Sequence, residues 1–565
     1  MTRKVRDKDA LAAAVLAAVV VAIAALRAIF GISFFDDSFY VAVPLRLASG
    51  ARLFTDEAAL QSIGSLVAVP FTALWRELFG LSGIIVASRL FYVLLATVVG
   101  GFVVRSLRPS LGTLVPTVAV CAVLLAPAYN TLAVSYNTTA QLAAMLAFAL
   151  VVAAKRDGDR PAAVGAGVCA ALASAFYPPF MVAALPAGVV AALLLRKRRL
   201  WVWMLAGAGA VLGAGAAWLL LTVPVSDIVR ATNHALGVGY AGGGTSITAW
   251  DRLALARRET SLILHSRAWW PAMALSVLVA IPFVPRRIGA SLAVLLPVAV
   301  GLPGLLALTR GTPWTFGVPV LSYLLAFVIA LVPLAVVTGL RRDTMPCELR
   351  SFLLVTGVFS ACAVPLVLLT SSAGFVGGMS GVGAAPFALA AIICWLTLVG
   401  REVGTRAVWV AAGVLLVVQI ALLYSTSYKD DPPFTLTQRI AHGAAAGILT
   451  TPARAADIAG VERALDGLSQ PGGSVLVVNA PLVYALTDAR PLTYAVWVNP
   501  GPSDAAVVEY YRRVGQTPDL VVVSRGFLAQ NNDSAPADPT DPLLSWVTSR
   551  YEPVERVGYV IMRPR

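Results

Sequence analysis

The sequence is poor in charged residues and histidine, and it lacks the signature motifs of several large enzyme classes. Only 13% of its 565 residues are Asp, Glu, Lys or Arg, whereas 58% are hydrophobic, so the chain as a whole is not an ordinary water-soluble protein. The three histidines are too scattered for a zinc site. No P-loop, HExxH or Gly-x-Ser-x-Gly motif occurs, which argues against an ATPase or a protease of those types.

Cysteine is also scarce, with five residues in the whole chain. Four of them lie in or beside apolar runs, and none lies in the polar C-terminal region. The five are Cys121, Cys169, Cys347, Cys362 and Cys394. This distribution predicts neither a disulfide framework nor a CxxC-type metal site.

What the chain has in abundance is long apolar runs, which predict a polytopic α-helical membrane protein. About 20 apolar residues in a helix cross a bilayer. About thirteen runs approach this length, at residues 10–32, 81–104, 111–128, 138–154, 161–178, 180–195, 200–223, 268–285, 288–309, 315–339, 351–371, 383–400 and 405–424. The first run is too long for a removed signal peptide and lacks a good cleavage site.

Basic residues between the runs predict the orientation of the chain, because they favour the cytoplasmic side. Seven clusters are expected there, at residues 3–8, 105–108, 155–160, 196–199, 286–287, 341–350 and 401–406. The N-terminus is therefore expected in the cytoplasm and, with an odd number of spans, the C-terminus outside the cell. The net charge of +14 belongs to these clusters, so nucleic acid is not an expected partner.

The composition changes after Tyr424, which predicts two domains: a transmembrane domain over residues 1–424 and a soluble extracytoplasmic domain over 425–565. Residues 429–433 resemble an extended linker because of Pro432 and Pro433. Residues 475–478 and 520–523 are expected to be short buried strands, 453–468 has helical spacing, and 551–562 suits a terminal strand pair. The second domain is therefore predicted to be a small α/β domain.

The first outer loop, residues 33–80, is the strongest candidate for a site. Asp36 and Asp37 follow directly on the first apolar run, and Asp56 and Glu57 form a second acidic pair. Ionisable groups at a membrane boundary are costly and usually functional. Such a carboxylate can act as a general base or hold a divalent cation. The structural alternative is that one aspartate of the first pair caps the following short helix.

Several arginines are further candidates for binding an anionic substrate. Arg27 and Arg89 lie inside predicted spans, where they either face a cavity or snorkel to the surface. Arg310 lies at an outer helix end, where a lipid phosphate could reach it. The outer loop 223–267 is unusually basic. It is expected to be either an interfacial helix on lipid head groups or a mobile loop that attracts an anionic lipid-linked substrate.

The motifs of the first loop and its surroundings resemble a known family. They cover residues 36–40, 45–50 and 54–57 with Gln61 and Pro70, and further matches lie at residues 88–90, 134–139 and 447–451. Their order resembles the GT-C glycosyltransferases, above all the polyprenyl-phosphate-sugar-dependent branch that includes protein mannosyltransferases and aminoarabinose transferases. The Asp-Asp pair departs from the Asp-Glu pair common in protein mannosyltransferases, which leaves the acceptor open.

The resemblance implies an inverting transfer of a sugar from a polyprenyl-phosphate donor to a cell-envelope acceptor at the outer face of the cytoplasmic membrane. Asp36 and Asp37 are the expected catalytic residues, or ligands of Mg²⁺ or Mn²⁺ if the reaction uses a divalent cation. The expected substrate-binding residues are Asp56, Glu57, Gln61, Arg89, Arg310, Tyr136 and Asn137. No nucleotide cofactor is expected, because the donor is a lipid.

Two other functions share this architecture. A flippase or secondary transporter for lipid-linked sugars would have a similar helix count, but its charges are expected in mid-membrane on broken helices. A non-catalytic scaffold of cell-wall assembly would tolerate the replacement of both Asp36 and Asp37. The clustering of acidic residues in the first outer loop favours the enzyme.

Overall fold

The computed structural model describes most of the chain. It covers residues 3–127, 132–237, 285–301, 345–370, 376–425, 427, 430–468, 472–498, 504–524, 542–556 and 559–565, with residues 250, 253–254, 257, 274–275, 277–279, 327 and 329–336 in the intervening stretches. For Asp36 and Asp37 it describes the backbone but not the side chains.

The described residues are mostly helical. In chain order the helices are α1 (Arg3–Arg27), α2 (Asp36–Ala48), α3 (Val69–Phe79), α4 (Ile84–Leu111), α5 (Leu114–Leu124), α6 (Tyr136–Asp157), α7 (Arg160–Phe176), α8 (Pro178–Leu194), α9 (Leu200–Thr222), α10 (Val225–Gly237), α11 (Arg286–Ala293), α12 (Cys347–Thr370), α13 (Val376–Glu402), α14 (Thr405–Leu423), α15 (Pro452–Leu468), α16 (Asp504–Val514) and α17 (Pro542–Arg550). A 3₁₀ helix, Leu60–Ala68, precedes α3.

Seven helices of the described part are long and apolar enough to cross a membrane: Asp9–Arg27, Ile84–Leu111, Tyr136–Asp157, Leu200–Thr222, Cys347–Leu369, Val382–Glu402 and Thr405–Leu423. They coincide with predicted spans, which confirms the helical membrane character of the chain. The apolar helices α5, α7 and α8 also coincide with predicted spans, but they are shorter than a full crossing. The predicted spans 268–285 and 315–339 lie largely outside the described residues, so the count of thirteen stays a prediction.

The helices bury their small and aromatic residues against each other and leave large apolar residues on the outside. Leu94 on α4, Leu185 on α8, Leu221 on α9 and Val417 on α14 are all exposed. In water such a surface would be an aggregation hazard. The outward apolar face therefore indicates a lipid bilayer around the helices.

The C-terminal region contains a five-stranded sheet in the order β4–β3–β5–β7–β6, with β3 (Ser474–Val478), β4 (Arg490–Pro491), β5 (Leu520–Ser524), β6 (Tyr551–Arg556) and β7 (Tyr559–Pro564). Strand β3 runs parallel to β4 and β5, whereas β7 is antiparallel to β5 and β6. The two predicted strands, the helix over 453–468 and the terminal strand pair are confirmed. A small two-stranded ladder joins β1 (Gln438–Arg439) and β2 (Leu449–Thr450).

The sheet packs directly onto the first loop. Phe34, Phe39 and Val43 share one hydrophobic core with Val475 and Val477 of β3. Main-chain bonds join the same parts, including Leu449 N to Ile29 O at 2.7 Å and Ala58 N to Tyr494 O at 2.9 Å. The first loop and the C-terminal region therefore form one packed assembly.

Candidate active site

The first acidic pair opens α2, and hydrogen bonds of the neighbouring residues fix the turn around it. Ser33 Oγ accepts from the backbone N–H of Phe35 at 2.9 Å, and the hydroxyl of Ser38 donates to Ser33 O. The N–H groups of Ser38 and Phe39 both donate to Phe35 O at 3.1 Å. Phe35 occupies the N-cap position. Asp36 lies one residue inside the helix, so the cap position does not explain the pair.

Arg89 fixes the segment that leads from α1 to the acidic pair. Its guanidinium donates to the carbonyl oxygens of Ala28 at 2.9 Å, Gly31 at 2.8 Å and Phe30 at 3.4 Å. Carbonyl groups at the end of a helix lack partners within the helix, and Arg89 supplies partners here. Its side chain is buried, with 7% of the residue exposed, so the surface-snorkelling alternative is wrong.

A small cavity lies beside Arg89. Its volume is about 10 Å³, enough for about one water molecule. The lining residues come from α2, the 3₁₀ helix, α4 and the segment before α6: Tyr40, Val41, Ala68, Ser88, Arg89, Phe91, Leu132, Ala133 and Val134. Tyr40 follows Asp36 by one helical turn. A sugar ring is larger than this cavity, so a substrate would have to displace lining side chains.

The start of α6 lies close to the same cavity and carries two predicted site residues. Ser135 and Thr138 form a capping box, with Thr138 N to Ser135 Oγ at 3.2 Å. The ring of Tyr136 lies 6.1 Å from that of Tyr40. Asn137 is 1% exposed, and within the described part of the chain neither the nitrogen nor the oxygen of its side-chain amide has a hydrogen-bond partner. A buried amide without partners is costly, which makes Asn137 a candidate ligand-binding residue.

The second acidic pair has structural partners and does not line the cavity. Asp56 Oδ2 accepts from the backbone N–H of Arg52 at 2.8 Å and lies 3.6 Å from the Arg52 guanidinium, so it stabilises a local turn. Glu57 is completely buried and forms an ion pair with Arg46 at 3.0 Å. These contacts give both residues a role in holding the loop. Their predicted role in substrate binding stays a prediction.

The Arg46–Glu57 pair joins the first loop to the C-terminal region. Glu57 Oε2 accepts from the backbone N–H of Val496 at 2.9 Å, and Arg46 donates to Thr493 O. Burial raises the pKa of the Glu57 carboxyl, whereas the Arg46 charge and the N–H of Val496 act in the opposite direction. We call this arrangement, Arg46 and Glu57 with the backbone of residues 493–496, the loop clamp.

The basic outer loop is tied to the same assembly through a buried aspartate at its start. Asp227, in the first turn of α10, accepts from Thr55 at 2.9 Å and Arg230 at 2.8 Å. Arg513 of α16 also donates to it, at 3.0 Å. The beginning of the basic loop is therefore in contact with the first loop and with the C-terminal region. Its residues 238–249 lie outside the described part.

The remaining predicted site residues are dispersed. Gln61 is half-buried in the 3₁₀ helix, which packs so closely on α6 that a Cβ on Gly64 would come within 2.4 Å of Tyr136 Cα. Arg310 lies outside the described residues. Among the described side chains there is no group of three or more His, Cys, Asp or Glu suited to a metal. The side chains of Asp36 and Asp37 are not among those described, so their role as cation ligands stays a prediction.

Two residues near the acidic pair were missed by the sequence analysis as site residues. Tyr40 lines the cavity, and its position one helical turn after Asp36 is a signal that could have identified it. Trp497 of the C-terminal region lies with its ring 5.3 Å from that of Phe39. No sequence spacing connects Trp497 with α2, because the contact depends on the packing of the two domains.

Comparison with known proteins leaves the family open. No protein-family model matches the chain, and no curated protein is significantly similar to it in sequence. The resemblance to GT-C glycosyltransferases therefore depends on the short motifs around the acidic pair. The function has to be argued from the site.

Proposed function

We propose that the protein is a membrane glycosyltransferase that moves a sugar from a polyprenyl-phosphate donor to a cell-envelope acceptor at the outer face of the cytoplasmic membrane. One observation carries the proposal. The backbone of Asp36 and Asp37 opens a helix that leads, one turn later, to a cavity shared with Arg89, at the junction of the apolar helices and the C-terminal region. This is where a lipid-linked donor in the bilayer and an acceptor in water would meet.

The proposed chemistry is an inverting displacement. Asp36 accepts the proton of an acceptor hydroxyl as its oxygen attacks the anomeric carbon. The bond from that carbon to the phosphate oxygen breaks, and the lipid phosphate leaves with the electron pair. Arg89 and Arg310 stabilise its charge in this account. The fixed turn at residues 33–38 supports it, because a general base must be held at the right distance from its proton.

The distribution of charge in the described residues supports an enzyme over a transporter. The buried charged residues are Arg27, Arg46, Glu57, Arg89 and Asp227. Arg27 and Arg89 lie near the ends of their helices that adjoin the first loop, and the others lie in the first loop and in α10. In the part of the chain that the structure describes, no buried charge lies halfway along a candidate span, where a transporter would be expected to have one.

The proposal includes about thirteen crossings, a cytoplasmic N-terminus and an extracytoplasmic C-terminal domain. An even number of crossings must separate the first loop from the C-terminal domain, because the two are in contact. Thirteen spans satisfy this condition: after the first span, twelve remain.

A transfer assay tests the function directly. The purified full chain in nanodiscs is given a panel of radiolabelled polyprenyl-phosphate sugars, including mannosyl and pentosyl donors, with cell-envelope extract as the acceptor. We expect label to move from one or a few donors into the acceptor fraction. The same chain is also reconstituted into sealed vesicles, where movement of intact donor across the membrane without transfer would favour the flippase instead.

A further inference from the structure

We propose that Trp497 is a carbohydrate-binding residue of this site, which donates its indole N–H to a hydroxyl oxygen of a sugar ring. This inference rests on the proposed function, because it assumes that the ligand is a sugar. It assigns to the C-terminal domain a direct contact with substrate. Trp497 lies in the segment that follows β4, on the side of the sheet that packs against the first loop.

The position of Trp497 connects the C-terminal domain with the cavity. Its ring contacts Phe39 edge-to-face at 5.3 Å, Phe39 lies 5.5 Å from Tyr40, and Tyr40 lies 6.1 Å from Tyr136. The four rings form a continuous row that begins at Trp497, passes through α2 and ends at the start of α6. Phe39 and Tyr40 are buried, so the row links Trp497 to the cavity through packed side chains, and the half-buried ring of Trp497 provides the apolar surface for the C–H face of a sugar ring.

The hydrogen bonding of Trp497 indicates a ligand with an acceptor oxygen. Its Nε1 atom is buried and has no hydrogen-bond partner among the described residues. A buried indole N–H usually has a partner, and an indole can only donate. A neutral N–H next to aromatic surface suits a hydroxyl group better than a phosphate. A phosphate group is bound better by the guanidinium of an arginine. Asn137, also without partners, offers both a donor and an acceptor at the other end of the row.

The main chain around Trp497 is held firmly. Val496 N donates to Glu57 in the loop clamp, and Val498 O accepts from Asn479 N at 2.9 Å. The residues before and after Trp497 are therefore both anchored. A binding residue on a fixed main chain loses little entropy when its ligand binds.

The experiment measures sugar binding without requiring catalysis. Saturation-transfer NMR on the full chain in nanodiscs is recorded with a panel of methyl glycosides: mannoside, glucoside, galactoside and arabinoside. Trp497→Phe keeps an aromatic ring and removes the N–H. The matched control is Trp546→Phe, a half-buried tryptophan of the same domain that stacks on Tyr511 at 4.8 Å.

We expect at least one glycoside to bind the unchanged protein and the Trp546→Phe variant equally well. Trp497→Phe should weaken that binding by about tenfold, the effect of one good hydrogen bond. Equal binding by all three proteins, or no binding of any glycoside, would overturn the proposal. If Trp497→Phe does not fold, the same binding measurement is made with benzothienylalanine at position 497. This residue replaces the N–H by sulfur in a ring of almost the same shape.

Kinetics then assign the sugar to donor or acceptor. In the transfer assay, Trp497→Phe should raise the KM for the donor if the donor sugar is bound, or the KM for the acceptor if the acceptor glycan is bound. The two proposals can fail separately. Glycoside binding that depends on Trp497 without any transfer would contradict the enzyme but not the sugar site, whereas transfer with unchanged KM values in Trp497→Phe would contradict only the sugar site.

Discussion

Three buried arginines in the described part of the chain donate to main-chain carbonyl groups. Arg89 donates to the end of α1, Arg27 to Leu423 O and Phe30 O, and Arg46 to Thr493 O. An arginine in an apolar run suggests a phosphate ligand when only the sequence is known. The structure adds a second function, since these side chains hold the segments around the acidic pair. Replacing such an arginine will therefore remove its bonds to the main chain as well as any contact with a phosphate.

Glu462 of α15 is a half-buried residue whose charge should affect the pH dependence of stability. Burial, with a smaller contribution from Asp466 one turn away, raises the pKa of its carboxyl to about 7. The folded state therefore binds this proton more tightly than the unfolded state. Stability from this group is complete below about pH 4.5 and is lost as the pH rises through about 7.

Glu462→Gln, which cannot ionise, should therefore stabilise the protein at about pH 8 and have little effect at about pH 4.5. We expect a gain on the order of 1 kcal/mol, since the carboxyl is only half-buried and water screens it. Thermal unfolding of the purified chain at both pH values measures the difference. The exposed Glu552→Gln serves as control. A gain that does not change with pH would contradict the assignment.

At the scale of elements, the loop clamp is the principal polar connection between the first loop and the sheet. Glu57→Gln and Arg46→Met each leave a partner of a buried ion pair without its counter-charge, which costs about 3–5 kcal/mol. The double variant should be clearly less damaging than the sum of the two, because no charge stays buried alone. Denaturant titration of the unchanged protein, the two single variants and the double variant gives their free energies of unfolding. These four values give the coupling energy between Arg46 and Glu57.

A matched pair for this cycle is Arg52 with Asp56, which lies in the same loop but is partly exposed. Its single and double variants should each change the stability by less than about 1 kcal/mol. Equal losses of stability for both pairs would show that the loop clamp does not hold the first loop and the C-terminal region together. The clamp also positions Trp497, so its single variants should weaken glycoside binding as well.

The elements that depend on local pattern could be predicted from the sequence, and those that depend on distant contacts could not. The strands at 475–478 and 520–523 are apolar runs of a length that fits a buried strand. The region 33–80, in contrast, looked like a loop, although α2, the 3₁₀ helix and α3 fill most of it. The apolar side chains of α2, such as Val41 and Val43, are buried by the C-terminal domain, which no local pattern reveals.

The same limit applies to the candidate site. The pair at Asp36 and Asp37 could be found because it follows an apolar run directly. Glu57 seemed equivalent to it in sequence, yet its partners Arg46 and Val496 bury it in an interface. Only the tertiary fold shows that the first acidic pair begins a helix, whereas Glu57 belongs to the loop clamp.

For the whole molecule, the contact between the first loop and the C-terminal domain predicts a shared compartment. Alkaline phosphatase fused after Tyr428 should be active in a bacterial host, because alkaline phosphatase folds only outside the cytoplasm. A fusion after Arg199, in a predicted cytoplasmic cluster, should be inactive. The reverse pattern would overturn the orientation, and activity at both positions would overturn the assignment of that cluster.

The central claim is that the first acidic pair performs sugar transfer. Asp36→Asn and Asp37→Asn remove a charge but keep the size of the side chain, so neither should unfold the protein. If Asp36 is the base, its variant should lose about 10²-fold or more in turnover, whereas Asp37→Asn should lose less. If the pair holds a cation, both variants should fail together, and added Mn²⁺ or Mg²⁺ should partly restore them.

The most direct measurement is therefore the turnover of these two variants and of their combination, with the exposed Asp488→Asn as control. Expression, folding and donor binding are measured alongside. The account predicts normal donor binding, normal turnover for the control and almost no sugar transfer for the double variant. Full transfer by the double variant at normal expression would contradict it.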